Sequence, residues 1–409
     1  MRMKRAFGLG VAVLALSGCF GSDADFPEDA CAHARANNLS LGFLTEDCMR
    51  LNEMQVLGTH NSYKLVPVTE ALEVIALFEP DEARDIEYTH RPLTEQLEDL
   101  GIRQFEMDVF ADPEGGMYAD PLLLDPALED ELDIVIEDPN FDREAMLVPG
   151  YKVLHVQDID YRSTCPTLIS CLEEVRDWSV ANPWHLPIMI LVELKTANVP
   201  GPDELPFVEP LPITPELLDD LDEELRSVFP PEQLIIPDDV RGGYDSLYEA
   251  IQRRGWPTLA QSRGKVMFAL DNTGGERSMY LDKHPNLEGA VMFVSSEPPE
   301  PTAGFVKRNN PLGSNLAEIQ DLVAQGMVVR TRSDSPTGEV RSGDTTRRDA
   351  ALMSGAQWVS TDYPEPSQIE SIFEPPFTDY IVEMPDGGVM RCNPVTTWPG
   401  CEDTLLEPQ

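Results

Sequence analysis

Leu57-Gly58-Thr59-His60-Asn61-Ser62-Tyr63-Lys64 closes a short apolar run with an imidazole and a carboxamide side by side. A polar cluster at the end of a buried strand costs stability unless it is paired, so it marks function more often than packing. The pattern recurs downstream. Phe105-Glu106-Met107-Asp108-Val109 places two carboxylates one residue apart, on one face of a strand. Val153-Leu154-His155 ends another apolar run in a second imidazole. From Met54 onward such runs alternate with helical patterns, the signature of a parallel β/α fold. The expected strands are Met54–Thr59, Arg103–Phe110, Tyr151–Val156, Ile188–Leu194, Lys265–Leu270, Val291–Val294, Met327–Thr331 and Trp358–Thr361. Eight of them predict an α/β chain folded as a distorted (β/α)8 barrel, although a doubly wound sheet accommodates the same runs.

Helices are expected at Pro92–Leu100, Pro215–Phe229 (with Thr214 as N-cap), Asn315–Gln325 and Thr345–Ser354. Two insertions follow strand ends: the acidic Asp112–Pro149 and the proline-rich Asn198–Pro212. Both fall on the face where barrels keep their active sites, as rim or lid or as plain surface loops. The expected organisation is a signal peptide over residues 1–18, a tether and N-terminal segment over 19–50, a barrel over 51–365 and a tail over 366–409.

Arg2, Lys4 and Arg5 precede an apolar stretch from Phe7 to Leu16, and Leu16-Ser17-Gly18-Cys19 matches the bacterial lipobox. The chain is therefore expected to be an exported lipoprotein anchored to a membrane through Cys19, at the outer membrane or cell surface. The other six cysteines are Cys31, Cys48, Cys165, Cys171, Cys392 and Cys401. An even number in an exported chain predicts disulfides, and sequence proximity suggests Cys31–Cys48, Cys165–Cys171 and Cys392–Cys401. With 73 acidic and 30 basic residues the formal charge is −43, which argues against nucleic acid as a partner.

The polar candidates all stand at or just beyond expected strand ends. They are His60 and Asn61; Glu106 and Asp108; His155; Glu193 and Lys195; Arg330 and Arg332; and Asp362 with Tyr363. In a barrel these positions converge on one mouth. Asn61, Glu106, Asp108 and Glu193 are hard oxygen donors, which suit Ca²⁺ or Mg²⁺ better than Zn²⁺. Ca²⁺ is favoured because it accepts irregular geometry and bidentate carboxylates. His60 and His155 suit proton transfer to and from a phosphate ester. His33, His185 and His284 lack this placement, and His90 is ambiguous.

At these residues the chain resembles the calcium-dependent phosphatidylinositol-specific phospholipases C, in their bacterial branch. The likeness runs from Met54 to Pro364. It is carried by Gly58-Thr59-His60-Asn61-Ser62-Tyr63, His90-Arg91-Pro92-Leu93, Phe105-Glu106-Met107-Asp108-Val109, Leu191-Val192-Glu193-Leu194-Lys195, Val329-Arg330-Thr331-Arg332 and Ser342-Gly343-Asp344. Val359-Ser360-Thr361-Asp362-Tyr363-Pro364 also looks like the wider phosphodiesterase superfamily. The resemblance implies a Ca²⁺ held by Asn61, Glu106, Asp108 and Glu193, with His60 and His155 as the catalytic histidines. Lys195, Arg330 and Arg332 would contact the phosphate or the inositol ring. It also implies a phospholipid substrate at a membrane surface and attack of the inositol 2-hydroxyl on phosphorus. Glu106 or Glu193 would then take the hydroxyl proton, His60 would stabilise the phosphoryl oxygens, and His155 would protonate the departing diacylglycerol. Two alternatives remain open at this point: a glycerophosphodiester phosphodiesterase, and a lipoprotein that binds lipid or sugar phosphates without turnover.

Overall fold

Seven of the eight expected apolar runs become staves of one barrel. The computed structural model describes residues 28–37, 45–128, 134–199, 205–397, 401 and 407. Its strands are β1 (Met54–Thr59), β2 (Gln104–Phe110), β3 (Lys152–Val153), β4 (Ile188–Leu194), β5 (Val266–Leu270), β6 (Met292–Val294), β7 (Phe305–Lys307), β8 (Val328–Arg332), β9 (Trp358–Thr361) and β10 (Met390–Cys392). The sheet order is β6-β5-β4-β2-β1-β9-β8-β7, with every pairing along it parallel. A bridge from Ser295 to Phe305 brings β6 against β7 and nearly closes the ring. Strands such as Ile188-Met189-Ile190-Leu191-Val192 are apolar at successive positions because a parallel stave is covered on both faces.

Two seams make the barrel irregular. One is the single bridge between β6 and β7. The other lies between β1 and β2, which pair only at Gly58 and Gln104. On the N-terminal side of this seam β10 runs antiparallel to β1, with Met54 opposite Cys392. On its C-terminal side β2 extends past β1, which leaves an edge that β3 covers in antiparallel register, Val153 opposite Val109. This corrects the expectation for Tyr151–Val156. That run is no stave, and the eighth stave is β7, Phe305–Lys307. A short apolar run reveals neither its direction nor its sheet neighbour.

The helices lie where their patterns place them: Leu93–Glu98, Pro215–Val228, Asn315–Ala324 and Thr346–Met353. Thr214 caps the second, its Oγ1 accepting from the Leu217 N–H at 3.3 Å, and Leu218, Leu221, Leu225 and Val228 form its buried face. Disulfides join Cys31 to Cys48, Cys165 to Cys171 and Cys392 to Cys401. Beyond β9, Tyr380, Val382 and Met384 are buried against the barrel, so much of the C-terminal tail packs onto it. The acidic insertion has apolar anchors of its own: Tyr118, Ala119 and Met146 pack with Phe110 and Leu154 beside the mouth. Cys19 and the lipobox lie outside the described residues. Among the described residues no helix is long and apolar enough to cross a membrane.

Candidate active site

The turn after β1 sets the geometry of the mouth. Asn61 has φ +46°, in the left-handed region that asparagine tolerates better than most residues. This lets Ser62 fold back onto β2, where its N–H donates to Glu106 O at 3.0 Å and its Oγ accepts from Glu106 N at 2.9 Å. The His-Asn-Ser sequence therefore locks the end of β1 to the backbone of Glu106.

His60 is held from both sides of its ring. Nδ1 lies 2.9 Å from Asp362 Oδ1, and Arg332 Nη1 lies 3.1 Å from Nε2. Arg332 also donates to Asp362 Oδ2 at 3.0 Å. An arginine only donates, so Nε2 accepts and the proton sits on Nδ1, facing Asp362. Burial, reinforced by the Arg332 and Arg330 charges, holds the His60 pKa well below the ordinary imidazole value. The nearby His155 and His90 push it the same way. The buried His90 hydrogen-bonds the His60 carbonyl at 2.9 Å, and burial pushes its pKa down to about 4. His90 thus supports the backbone of His60.

His155 lies just beyond β3, the strand that covers the free edge of β2. Its Nδ1 meets Asp160 Oδ2 at 2.7 Å, and Lys64 Nζ stands 3.1 Å from the same oxygen. Burial opposes charge on Asp160, but Lys64 and His155 outweigh it and keep the carboxyl below its usual range. Each histidine therefore has a buried carboxylate behind Nδ1.

The acidic residues begin beside His60. Glu106 is buried on β2 and paired through Oε2 with Arg330, while its Oε1 lies 3.9 Å from His60 Nε2. Arg330 is itself buried and also donates to Asn309 Oδ1 at 2.6 Å and Ser360 Oγ at 2.8 Å. Asp108 lies 3.2 Å from Lys195 Nζ, which is 3.6 Å from Glu193 Oε2. Burial pushes Glu106 up to about 7 and Asp108 well above the usual carboxylate range. Burial works against a charged Lys195, but Asp108 and Glu193 reverse that and raise it. Of the eleven polar residues singled out in the sequence, Asp362 joins His60 and Arg332, and Glu106, Asp108, Glu193, Lys195 and Arg330 are linked by the pairs above, whereas Tyr363 packs against Phe377 and Tyr380.

Asp271, Asp160, Lys64, Lys307 and Asn309 complete this constellation and were not among the expected site residues. Asp271 carried the same signal as the others, a carboxylate directly after an apolar strand. Asp160 and Asn309 sit in loops whose sequence gives no such cue.

The donor set fits a hard divalent cation. Asn61 donates through Nδ2 to Tyr88 OH at 2.9 Å, which turns its amide oxygen the other way. That buried Asn61 Oδ1 and the buried Asp108 Oδ1 have no hydrogen-bond partner among the described residues. Orphaned oxygens beside several buried carboxylates are costly unless a cation shares them.

A family profile described as "Phosphoinositide phospholipase C, Ca2+-dependent" matches residues 49–394. The chain belongs to this family. It is accordingly a phospholipase C-type enzyme on a TIM barrel, with Ca²⁺ as its cofactor. No curated protein matches the chain. Among solved structures it is similar to a calcium-dependent phosphoinositol-specific phospholipase C of the Gram-negative Pseudomonas sp, in a myoinositol complex. The identity is 15%, the match covers 77% of this chain and 90% of that one, and the TM-score is 0.45. It is also similar to the Ca²⁺-dependent enzyme of Streptomyces antibioticus, at 14% identity, 77% and 95% coverage and TM-score 0.45. A third is the phosphatidylinositol-specific phospholipase C of Listeria monocytogenes, at 12% identity, 76% and 89% coverage and TM-score 0.39.

Proposed function

We propose that this phospholipase C cleaves the glycerol–phosphate bond of an inositol phospholipid, releasing diacylglycerol and a cyclic inositol phosphate that is hydrolysed in turn. The carrying observation is the pair of imidazoles, each backed at Nδ1 by a buried carboxylate, with an acidic cluster that begins 3.9 Å from His60. Such a pair supplies one group to take a proton and one to give it.

Asn61, Glu106, Asp108 and Glu193 would hold Ca²⁺. A bound Ca²⁺ neutralises the cluster and lowers the pKa of a hydroxyl that reaches it. When Arg332 turns from His60 to a phosphoryl oxygen, the freed Nε2 lone pair accepts the proton of the inositol 2-hydroxyl, while Asp362 stabilises the imidazolium that forms. Glu106 or Glu193 was the expected base and His60 a stabiliser of the phosphoryl oxygens, but the pairing of Glu106 with Arg330 and of Glu193 with Lys195, and the place of both in the cation site, leave His60 better suited as the base. The hydroxyl oxygen bonds to phosphorus and the phosphorus–glycerol oxygen bond breaks. His155, kept in orientation by Asp160 and Lys64, gives its proton to the departing glycerol oxygen. Arg332 and Lys195 would bind a phosphoryl oxygen or a ring hydroxyl, and Arg330, paired with Glu106, would fix that carboxylate. Hydrolysis of the cyclic product reverses the two histidine roles. The enzyme would act at a membrane surface, to which a lipid on Cys19 would anchor it as an exported lipoprotein.

The test is diacylglycerol release from phosphatidylinositol vesicles with Ca²⁺ titrated against a chelator. A glycerophosphodiester serves as the comparison substrate. Expected are Ca²⁺-dependent diacylglycerol release, little glycerol phosphate, and a loss of at least about a hundredfold in turnover for His155→Ala. Release of glycerol phosphate alone, or near-normal turnover without His155, would refute the reading.

A further inference from the structure

We propose that Asp271 is an additional ligand of the cation at the barrel mouth, beyond Asn61, Glu106, Asp108 and Glu193; this rests on reading that mouth as the metal centre. Asp271 directly follows β5, the stave next to β4. Along the order β1-β2-β4-β5, four neighbouring staves then each carry or lead directly into a candidate oxygen donor: Asn61, Glu106 with Asp108, Glu193, and Asp271.

Distances support the assignment. One carboxylate oxygen from each of Glu106, Glu193 and Asp271 lies within 4.8 Å of the others. Ca²⁺ binds oxygen at about 2.3–2.6 Å, so two oxygens on one ion stand up to roughly 5 Å apart. The three carboxylates are spaced as co-ligands already. Asp271 is only 6% exposed. Its Oδ2 pairs with Lys307 Nζ on β7, and its Oδ1 has no hydrogen-bond partner among the described residues. The lysine thus steadies one oxygen and leaves the other uncommitted. A carboxylate present only to neutralise Lys307 would gain nothing from standing against Glu106 and Glu193, which repel it in a buried site. A shared cation turns that repulsion into attraction.

The experiment uses Tb³⁺ as a luminescent substitute for Ca²⁺ on the full exported chain. Lifetimes in H₂O and D₂O count the water molecules bound directly to the ion. Losing a ligand opens a coordination position to water, whereas losing a distant charge only weakens binding. Asp271→Ala is expected to add at least one bound water and to weaken Ca²⁺, measured by displacement of Tb³⁺, roughly tenfold or more. An unchanged water count overturns the proposal, whatever happens to affinity. If the wild-type protein binds no Tb³⁺, the reading of the mouth as a metal centre fails as well, a result distinct from a silent Asp271→Ala. Should the alanine variant not fold, Asp271→Ser, which keeps a hydroxyl beside Lys307, takes the same measurement.

Discussion

His185 is an imidazole that folding keeps neutral. It is buried beside the helix Leu168–Ala181, with Nδ1 2.6 Å from the Leu186 carbonyl and Nε2 2.7 Å from Ser179 Oγ. The carbonyl only accepts, so Nδ1 carries the proton and Nε2 accepts from the serine. A second proton would break that bond, and burial pushes the pKa down to about 4. The unfolded chain takes up this proton near pH 6.5, before the folded chain does. Stability is therefore complete above about pH 6.5 and declines as the pH falls toward 4, by up to about 3 kcal/mol from this group. Urea unfolding at pH 7 and pH 4.5 should show a smaller loss on acidification in His185→Gln than in the wild type. Equal losses would mean that His185 is protonated as readily in the fold as in free solution. The sequence marked this residue as lying outside the catalytic pattern, because it precedes a strand. The site residues were legible for the opposite reason: His60, Glu106, Glu193 and Arg330 interrupt or end apolar runs, where a polar group needs a purpose. Their partners were harder to read. Lys64 reaches Asp160, the carboxylate behind His155, only because a loop and a turn meet in space, and spacing along the chain does not encode that meeting.

Gly58 shows how one element boundary shapes the mouth. It is where β1 and β2 pair, and a Cβ there would stand 2.6 Å from the Gln104 Cβ and 2.0 Å from its Oε1. Gln104 cannot swing away freely, since Ser360 donates to that oxygen and the Cβ is fixed to the strand. Gly58→Ala must therefore push β1 and β2 apart, at a cost of about 1–3 kcal/mol. The expected result is a lower denaturant midpoint with an unchanged slope, together with reduced turnover, because the same seam spaces His60 from Glu106. A midpoint equal to that of the wild type would show that the seam yields without strain. At this scale the staves of β1, β2, β4, β5, β6, β8 and β9 were readable, because each is a run of apolar or β-branched residues. β7 escaped notice, being three residues long and following a proline-bearing turn. β3 was mistaken for a stave because Tyr151–Val156 has stave-like composition, and its antiparallel course is set by the unpaired edge that β2 leaves beyond β1. β10 sits inside a tail whose sequence is mostly irregular.

The molecule as a whole has an electrostatic problem. Its formal charge is −43, and removal of residues 1–18 would make it more negative by three basic groups. An inositol phospholipid is anionic, so chain and substrate surface repel each other over about 10 Å at 0.1 M salt. The cations of the mouth do not offset this from a distance, because Lys195, Lys307, Arg330 and Arg332 are each paired with a carboxylate. Three disulfides fit an oxidising compartment, where a lipid on Cys19 would hold the enzyme at a membrane despite the repulsion. Cys19→Ser should consequently move the enzyme from the membrane fraction to the soluble one. On phosphatidylinositol vesicles the released form should be slow at low ionic strength and gain rate as salt screens the repulsion, with Ca²⁺ held constant. Turnover on a soluble, uncharged-tail analogue should match that of the anchored form, since the mouth itself is unaltered. Retention of Cys19→Ser on the membrane would remove the anchor from this account. A salt-independent rate would show that the acidic surface faces away from the lipid during catalysis.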